Sequence, residues 1–172
     1  VKIDSFAYMP VQDFGNAFST FIAQNYGAGQ RERIKKGIRS AALTSFLFCL
    51  VISLAVCLLA RPLLLIFIKP YETEILSIGV GYLWIEGAFY CLVGWLFLFY
   101  GFYRAMKRPG MSVVLTVISL GTRVALAYIL SAIPALGVTG IWMSVPIGWF
   151  LADAVGIFYY VKNRRRLMEL LN

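Results

Sequence analysis

Four charged side chains lie within long apolar segments of this 172-residue sequence: Asp13, Glu86, Arg123 and Asp153. An ionised group at membrane depth is costly, and it usually faces the interior of a helix bundle or a water-filled cavity. Groups of this kind carry ions or protons, or they form buried ion pairs. The role of each one therefore depends on the residues that share its helix face.

The first of the four belongs to a polar stripe along one side of a predicted helix. Asp13, Asn16, Thr20 and Gln24 follow one another at spacings of three or four residues, so they share a narrow arc. The opposite side is apolar and is predicted to face lipid, with Val11, Phe14, Phe18 and Ile22. A polar stripe either bonds to a neighbouring helix or lines an aqueous cavity. We favour the cavity, because Asp13 would otherwise need a buried partner.

The second candidate is a carboxyl group between two phenols. Tyr82, Glu86 and Tyr90 are spaced four residues apart, which places them on one side of a helix. In a dry site the carboxyl could hold a proton, bind a cation or take part in a proton relay. The structural alternative is a carboxylate bonded to a tyrosine or to Arg123. We favour the functional role.

The remaining two charges, Arg123 and Asp153, are predicted to form an ion pair. They lie at nearly matching depths in two consecutive apolar segments, which are joined by a short turn at Pro134 and Gly137. Such a pair would act as a buried structural lock between neighbouring antiparallel helices.

The helices that must position these groups follow from composition. The chain is 60% hydrophobic and only 14% charged, with a mean hydropathy of +0.79, whereas about 25% of the residues in a soluble domain are charged. A helix of about 20 apolar residues crosses a bilayer. The sequence therefore predicts an all-α, polytopic membrane bundle of about five transmembrane helices in a single lobe. The predicted spans are about 3–26, 38–60, 74–103, 111–133 and 138–161, followed by a tail at 162–172.

The basic residues indicate the orientation of this bundle. They cluster at 31–39, at 104–108 and at 162–166, in loops that one side of the bundle would expose. Loops rich in Lys and Arg stay in the cytoplasm, so we expect a multi-pass cell-membrane protein with a cytoplasmic C-terminus. Membrane lipid is the expected surroundings. Nucleic acid is not an expected partner, because binding it would need a basic face on a soluble fold.

The sequence shows no signature of an enzyme. It contains no nucleotide-binding loop, no nucleophile–base pair and no histidine, and its three cysteines lack metal-ligand spacing. We therefore expect no catalytic residue, no metal site and no cofactor. A coupling ion would be carried as cargo by the intramembrane carboxylates.

Three motifs resemble those of the multidrug and toxic compound extrusion (MATE) family. Residues 21–29 (FIAQNYGAG), followed by a basic linker, look like the end of a helix in that family. Residues 100–110 (YGFYRAMKRPG) resemble the end of its tenth helix and the following loop, and residues 146–153 (PIGWFLAD) are similar to its last helix. The resemblance covers essentially the whole chain, in order and in topology.

The resemblance implies that the five spans are helices eight to twelve of a twelve-helix transporter. The chain would be most of one six-helix lobe, and the missing N-terminal lobe of the same transporter would be its partner. It further implies an ion-coupled antiporter that exchanges Na⁺ or H⁺ for small organic substrates, as in multidrug efflux. Glu86 falls in the helix in which some members carry a cation-binding acid. Two alternatives stay open, a flippase of lipid-linked precursors with a related fold and a non-transporting membrane scaffold.

Overall fold

The computed structural model describes residues 2–169, and that part of the chain folds into seven helices without a strand. The all-α fold is therefore confirmed. The helices are α1 (Lys2–Gly27), α2 (Arg31–Leu58), α3 (Ala60–Leu65), α4 (Thr73–Gly87), α5 (Tyr90–Ala105), α6 (Pro109–Ser131) and α7 (Gly137–Glu169). Within the described range, α7 continues through most of the predicted tail, while residues 170–172 lie outside the described part.

The length and apolarity of the helices fit a membrane bundle. Among the described residues, α2, α6 and α7 are each long and apolar enough to cross a bilayer, and α4 with α5 makes a fourth crossing if the bent pair counts as one. Helix α1 has 26 residues, which is long enough to span, but polar residues interrupt its apolar sequence throughout. Judged by length and apolarity alone, the described helices make at most four membrane crossings, whereas the sequence predicted about five.

The predicted span at 74–103 is not a straight helix in the structure. It consists of α4 and α5, which are bent by 48° relative to each other. The break follows Gly87, which is buried and lies so close to Val56 of α2 that an added Cβ would be 3.2 Å from Val56 Cγ1. Glycine weakens a helix, and sharp bends occur where the regular hydrogen-bond ladder is interrupted. Here Phe89 N–H bonds to the carbonyl of Glu86, three residues back.

Helix α1 packs against α2 and α5 with its apolar side. Val11, Phe18 and Ile22 are buried and Phe14 is half-buried, so the prediction that this side faces lipid is wrong. This apolar side of α1 packs against α5 instead, where its side chains form part of the core of the bundle. The polar stripe of α1 is consequently left on the outer surface of the described chain.

Glycines allow two pairs of helices to approach backbone to backbone. In the α1–α5 crossing, a Cβ on Gly101 would lie 2.5 Å from the carbonyl oxygen of Gly15. In the α6–α7 crossing, a Cβ on Gly148 would lie 2.7 Å from the carbonyl oxygen of Ser119. Small residues at helix contacts are the usual means of tight packing in membranes. These two crossings set the spacing of the walls around the site described below.

Replacing Gly101 with alanine is expected to force α1 and α5 apart. Overpacking of a tight contact costs about 1–3 kcal/mol, so the Gly101→Ala variant should unfold at a lower temperature than the parent protein in detergent. Gly121→Ala is the matched control, because Gly121 also lies within a helix but has nothing within 4 Å of an added Cβ. Equal midpoints for the two variants would contradict the close crossing.

Candidate functional site

A cavity of about 540 Å³ lies among α1, α4, α5, α6 and α7. Three charged side chains line it, Asp4, Glu86 and Arg123, together with several aromatic rings. A cavity of this volume is in the range of small-molecule sites, which combine apolar walls with a few placed polar groups. It is therefore the strongest candidate for a binding site in the described part of the chain.

Two carboxyls and three phenols meet at one end of this cavity, and we refer to Asp4, Tyr8, Tyr82, Glu86 and Tyr90 as the carboxyl–phenol cluster. The Tyr82 hydroxyl lies 2.8 Å from an oxygen of Asp4 and 2.8 Å from an oxygen of Glu86. The Tyr90 hydroxyl donates to the other Asp4 oxygen at 2.6 Å. Tyr8 donates to Glu86 at 3.4 Å. Both carboxyl side chains are buried.

The geometry around Tyr82 sets a proton count for the cluster. A phenol carries a single hydrogen and can also accept hydrogen bonds. Tyr82 can therefore donate to only one of its two carboxyl neighbours at a time. The second 2.8 Å contact is a hydrogen bond only when that carboxyl carries a proton itself. The arrangement thus suits one proton held between Asp4 and Glu86, or a cation in its place.

The helix break positions the members of the cluster. Tyr82 and Glu86 are one turn apart on α4, and Asp4 lies in the first turn of α1. Because α5 starts in a new direction after the break, Tyr90 reaches Asp4 rather than Glu86. Edge-to-face ring contacts hold the phenols in place. These contacts are Tyr8 with Tyr90, Tyr8 with Trp149 and Tyr82 with Trp142.

The sequence-based description of this site was partly correct. Tyr82, Glu86 and Tyr90 do lie together, but Tyr90 bonds to a residue that sequence reasoning missed. Asp4 was missed because an acid near the end of a span resembles an ordinary interfacial residue. Its i, i+4 relation to Tyr8, which was also missed, is the local signal that could have found the pair. The functional roles of these residues stay predictions.

The polar stripe of α1 lies away from the carboxyl–phenol cluster. Asp13, Asn16, Thr20 and Gln24 are all exposed on the described chain. Within the stripe, Thr20 donates to the backbone carbonyl of Asn16. The Asn16 side chain accepts a hydrogen bond from Arg104 at 3.0 Å.

Asn16 and Arg104 line a second cavity of about 240 Å³, between α1, α5 and α6. This cavity shares Phe97, Tyr100 and Thr116 with the larger one. The two cavities therefore adjoin, and together they extend from the carboxyl–phenol cluster towards the C-terminal end of α5.

The predicted ion pair between Arg123 and Asp153 is wrong in this structure. Asp153 is 3% exposed, and neither of its carboxylate oxygens has a hydrogen-bond partner among the described residues. The Arg123 side chain packs against Gly148 and lines the larger cavity. Asp153 lies further along α7 than Gly148 by more than one helical turn of about 5.4 Å, so matching depth in the sequence did not bring the two groups together.

The described residues contain no group of three or more His, Cys, Asp and Glu side chains that could hold a metal ion. The acids of the cluster are two in number, and the other nearby oxygens belong to phenols. This set can exchange a proton or a loosely held monovalent cation, and it lacks the carboxylate-rich ligand set of a divalent metal site.

Comparison with known proteins gives a consistent result. Residues 1–129 match the family model MatE. The probable multidrug resistance protein YoeA of Bacillus subtilis strain 168 is 24% identical over 180 residues, which cover 99% of this chain and 37% of the relative. The chain thus spans well under half the length of this curated relative.

Two solved structures have the same fold as the described chain. They are the inward-facing and outward-facing conformations of a multidrug resistance MATE family transporter of the MOP superfamily, with TM-scores of 0.85 and 0.87. Each is 21% identical and covers 98% of this chain, and the matched part is 38% and 37% of the respective solved chain. At this identity the likeness concerns the fold alone.

The separation of Arg123 from Asp153 can be tested with a double-mutant cycle. If the two groups do not touch, the effects of Arg123→Gln and Asp153→Asn on thermal stability in detergent should add to within about 0.5 kcal/mol. Breaking a buried pair by removing one partner would instead cost about 3–5 kcal/mol. A double variant markedly more stable than the sum of the single effects would restore the ion pair.

Proposed function

The chain belongs to the MatE family of membrane transporters, and from this premise we propose that it is the main part of the C-terminal lobe of an ion-coupled multidrug efflux antiporter. In this proposal Na⁺ or H⁺ moves inward in exchange for a small organic compound that moves outward. The N-terminal lobe of the same transporter is the proposed partner of the described helices. The match to the family over residues 1–129 supports the proposal.

The single observation that carries ion coupling is the carboxyl–phenol cluster beside a broken helix. Discontinuous helices near the middle of the membrane are the usual ion and substrate sites of secondary transporters. Glu86 is the last acid before the break, and its contact with Asp4 through Tyr82 suits a shared proton or a substitute cation. Occupancy of the cluster can therefore change by one ion, which is what coupling to a gradient requires.

The exposed polar stripe of α1 supports the proposal that a second lobe faces this side of the described helices. Asp13 and its neighbours would be costly to solvate in lipid, whereas a water-filled cavity between two lobes would accommodate them. We place the stripe on the wall of that cavity, where it would meet the substrate during alternating access. The same surface on a passive scaffold would have no reason to be polar at membrane depth.

Contacts between helix ends support a cytoplasmic location for the three basic clusters. The Lys107 ammonium lies 5.8 Å from the centre of the Tyr26 ring, which brings the end of α5 beside the end of α1. The ring of Tyr103 lies 5.5 Å from that of Tyr159, so α7 reaches the same side. Clusters that share one side of the bundle satisfy the positive-inside rule together. We therefore propose a multi-pass protein of the cell membrane with its C-terminus inside.

Removing the acid of Glu86 should uncouple transport from the ion gradient. In proteoliposomes that contain the two-lobed transporter, Glu86→Gln is expected to lose at least about 90% of the ethidium efflux driven by an imposed Na⁺ or pH gradient, because an amide cannot exchange a proton or attract a cation. Glu74→Gln is the matched control, since Glu74 is an exposed acid of the same helix. Full coupling in the Glu86 variant would exclude this residue from the ion site.

Replacing Asp13 should alter substrate handling without loss of the fold. Asp13 is exposed on the described chain, so Asp13→Ala is expected to leave the thermal midpoint unchanged while KM for ethidium rises several-fold. A large drop in thermal stability with an unchanged KM would show that Asp13 is structural. The measurement is initial efflux rate against ethidium concentration, with the midpoint determined on the same preparation.

A further inference from the structure

An apolar groove lies on α5, on the opposite side of that helix from the larger cavity, and we refer to it as the α5 groove. Its volume is about 270 Å³. Its floor consists of four residues at helical spacing, Trp95, Leu98, Phe99 and Phe102. Phe97 and Tyr100 of the same helix line the larger cavity instead. The α5 groove is therefore separate from the proposed ion and substrate path.

Helices α2 and α7 form the two walls of the α5 groove. The wall residues are Ile38 and Ala42 of α2, and Ile157 and Tyr160 of α7. On one side, the indole N–H of Trp95 donates to the backbone carbonyl of Ala42 at 3.4 Å. On the other side, the ring of Phe102 meets that of Tyr160 edge to face, with 5.6 Å between the ring centres. These contacts hold both walls against α5, so the groove is preformed.

The α5 groove runs parallel to the helices that form it. From Trp95 to Phe102 the floor advances by about 10 Å, at 1.5 Å per residue. The walls follow the same direction, and the proposed orientation places the Phe102 end nearer the cytoplasm. No described residue of the lining is charged. The groove can therefore hold a hydrocarbon chain without costing that chain or the protein a hydrogen bond.

Basic side chains continue both walls beyond the Phe102 end. Lys35 precedes Ile38 by three residues, so it lies on the same face of α2 one turn further out, and Arg31 continues that face by another turn. On α7, Arg164 follows Tyr160 by four residues and is exposed. The mouth of the groove is thus flanked by cations from two different helices.

The charges around this mouth are unbalanced. Residues 31–39 contain five basic side chains and one acid, and residues 162–166 contain four basic side chains and no acid. The acid is Glu32, which pairs with Lys35 at 2.7 Å. Both side chains of the pair are largely in solvent, at 75% and 41% exposure, and exposed pairs of this kind contribute little. The mouth consequently keeps an excess of positive charge beside an apolar channel.

We propose that the α5 groove is a binding site for an anionic phospholipid of the cytoplasmic leaflet. One acyl chain lies along the floor between Trp95 and Phe102, and the phosphate group lies between Lys35 and Arg164. Basic pockets between transmembrane helices recognise anionic headgroups on the cytoplasmic side. The cations explain the choice of occupant, because an uncharged apolar compound or a zwitterionic lipid would gain nothing from them. This inference goes beyond the proposed transport function and involves neither the coupling ion nor the transported compound.

Trp95 provides a reporter on the floor of the groove. Bromine atoms on a lipid chain quench indole fluorescence on contact, so the part of the quenching that disappears in Trp95→Phe measures occupancy of the groove. The purified two-lobed transporter is placed in phosphatidylcholine nanodiscs that contain increasing fractions of brominated phosphatidylglycerol or brominated phosphatidylcholine. We expect half-maximal quenching of Trp95 at a fraction about fivefold to thirtyfold lower for phosphatidylglycerol, since each basic group near an anionic lipid gives a factor of about five.

Two double variants separate a specific headgroup site from general surface charge. Lys35→Gln with Arg164→Gln should remove the preference for phosphatidylglycerol and leave quenching by phosphatidylcholine unchanged. Arg33→Gln with Lys162→Gln is the matched control, because it removes the same charge from exposed residues of the same two helix ends. By their spacing from Ile38 and Ile157, these control residues lie on other helix faces. The control should retain at least about half of the preference.

Each remaining outcome would overturn the proposal. Equal quenching by the two lipids in the parent protein would exclude headgroup recognition, and equal losses in the two double variants would reduce the effect to general surface charge. Absence of Trp95-dependent quenching by either lipid would show that something other than lipid fills the groove. These measurements need no gradient, so a failed lipid preference leaves the proposed efflux function untouched. A lack of gradient-driven ethidium efflux with an intact lipid preference would refute the efflux function alone.

Discussion

Hydrocarbon offers no hydrogen bonds, so a polar group at membrane depth is costly unless the chain or water in a cavity satisfies it. Within each helix the backbone N–H and C=O groups bond to one another, so the polar side chains are the groups that need partners or a cavity. Asp4 and Glu86 are held by three phenols, while Arg123 lies on the wall of a cavity. The exposed stripe of α1, which includes Asp13, is polar surface that a second lobe would cover.

Glycine is what allows the polar groups to meet. The crossing of α1 and α5 at Gly15 and Gly101 brings two backbones together, and Gly148 does the same for α6 and α7. Gly87 marks the end of α4, where the chain bends before α5. Because of these close contacts, phenols from α4 and α5 reach a carboxyl on α1 within hydrogen-bond distance. The same crossings would transmit a small rearrangement at the cluster to the packing of the lobe, since packed helices move as units.

The buried and half-buried charges have three different environments. Glu86 and Asp4 both contact the Tyr82 hydroxyl, an arrangement that suits one proton held between the two acids. Arg123 lines the cavity and forms neither an ion pair nor a hydrogen bond with a described residue, but it interacts electrostatically with Glu86 and Tyr8. Asp153 of α7 is buried and has no hydrogen bond to any described residue.

Features that depend on neighbours along the chain were readable from the amino acids. Apolar length predicted an all-α membrane bundle, four-residue spacing placed Tyr82 beside Glu86, and the motifs at 21–29, 100–110 and 146–153 indicated the family that residues 1–129 match. Which helix faces meet could be learned only from the folded chain. Folding turned the apolar side of α1 inward, joined Asp4 to residues 78 and 86 positions away, and separated Arg123 from Asp153. This difference arises because helix periodicity orders neighbours within a helix, whereas a contact between helices depends on the close packing of every helix around it.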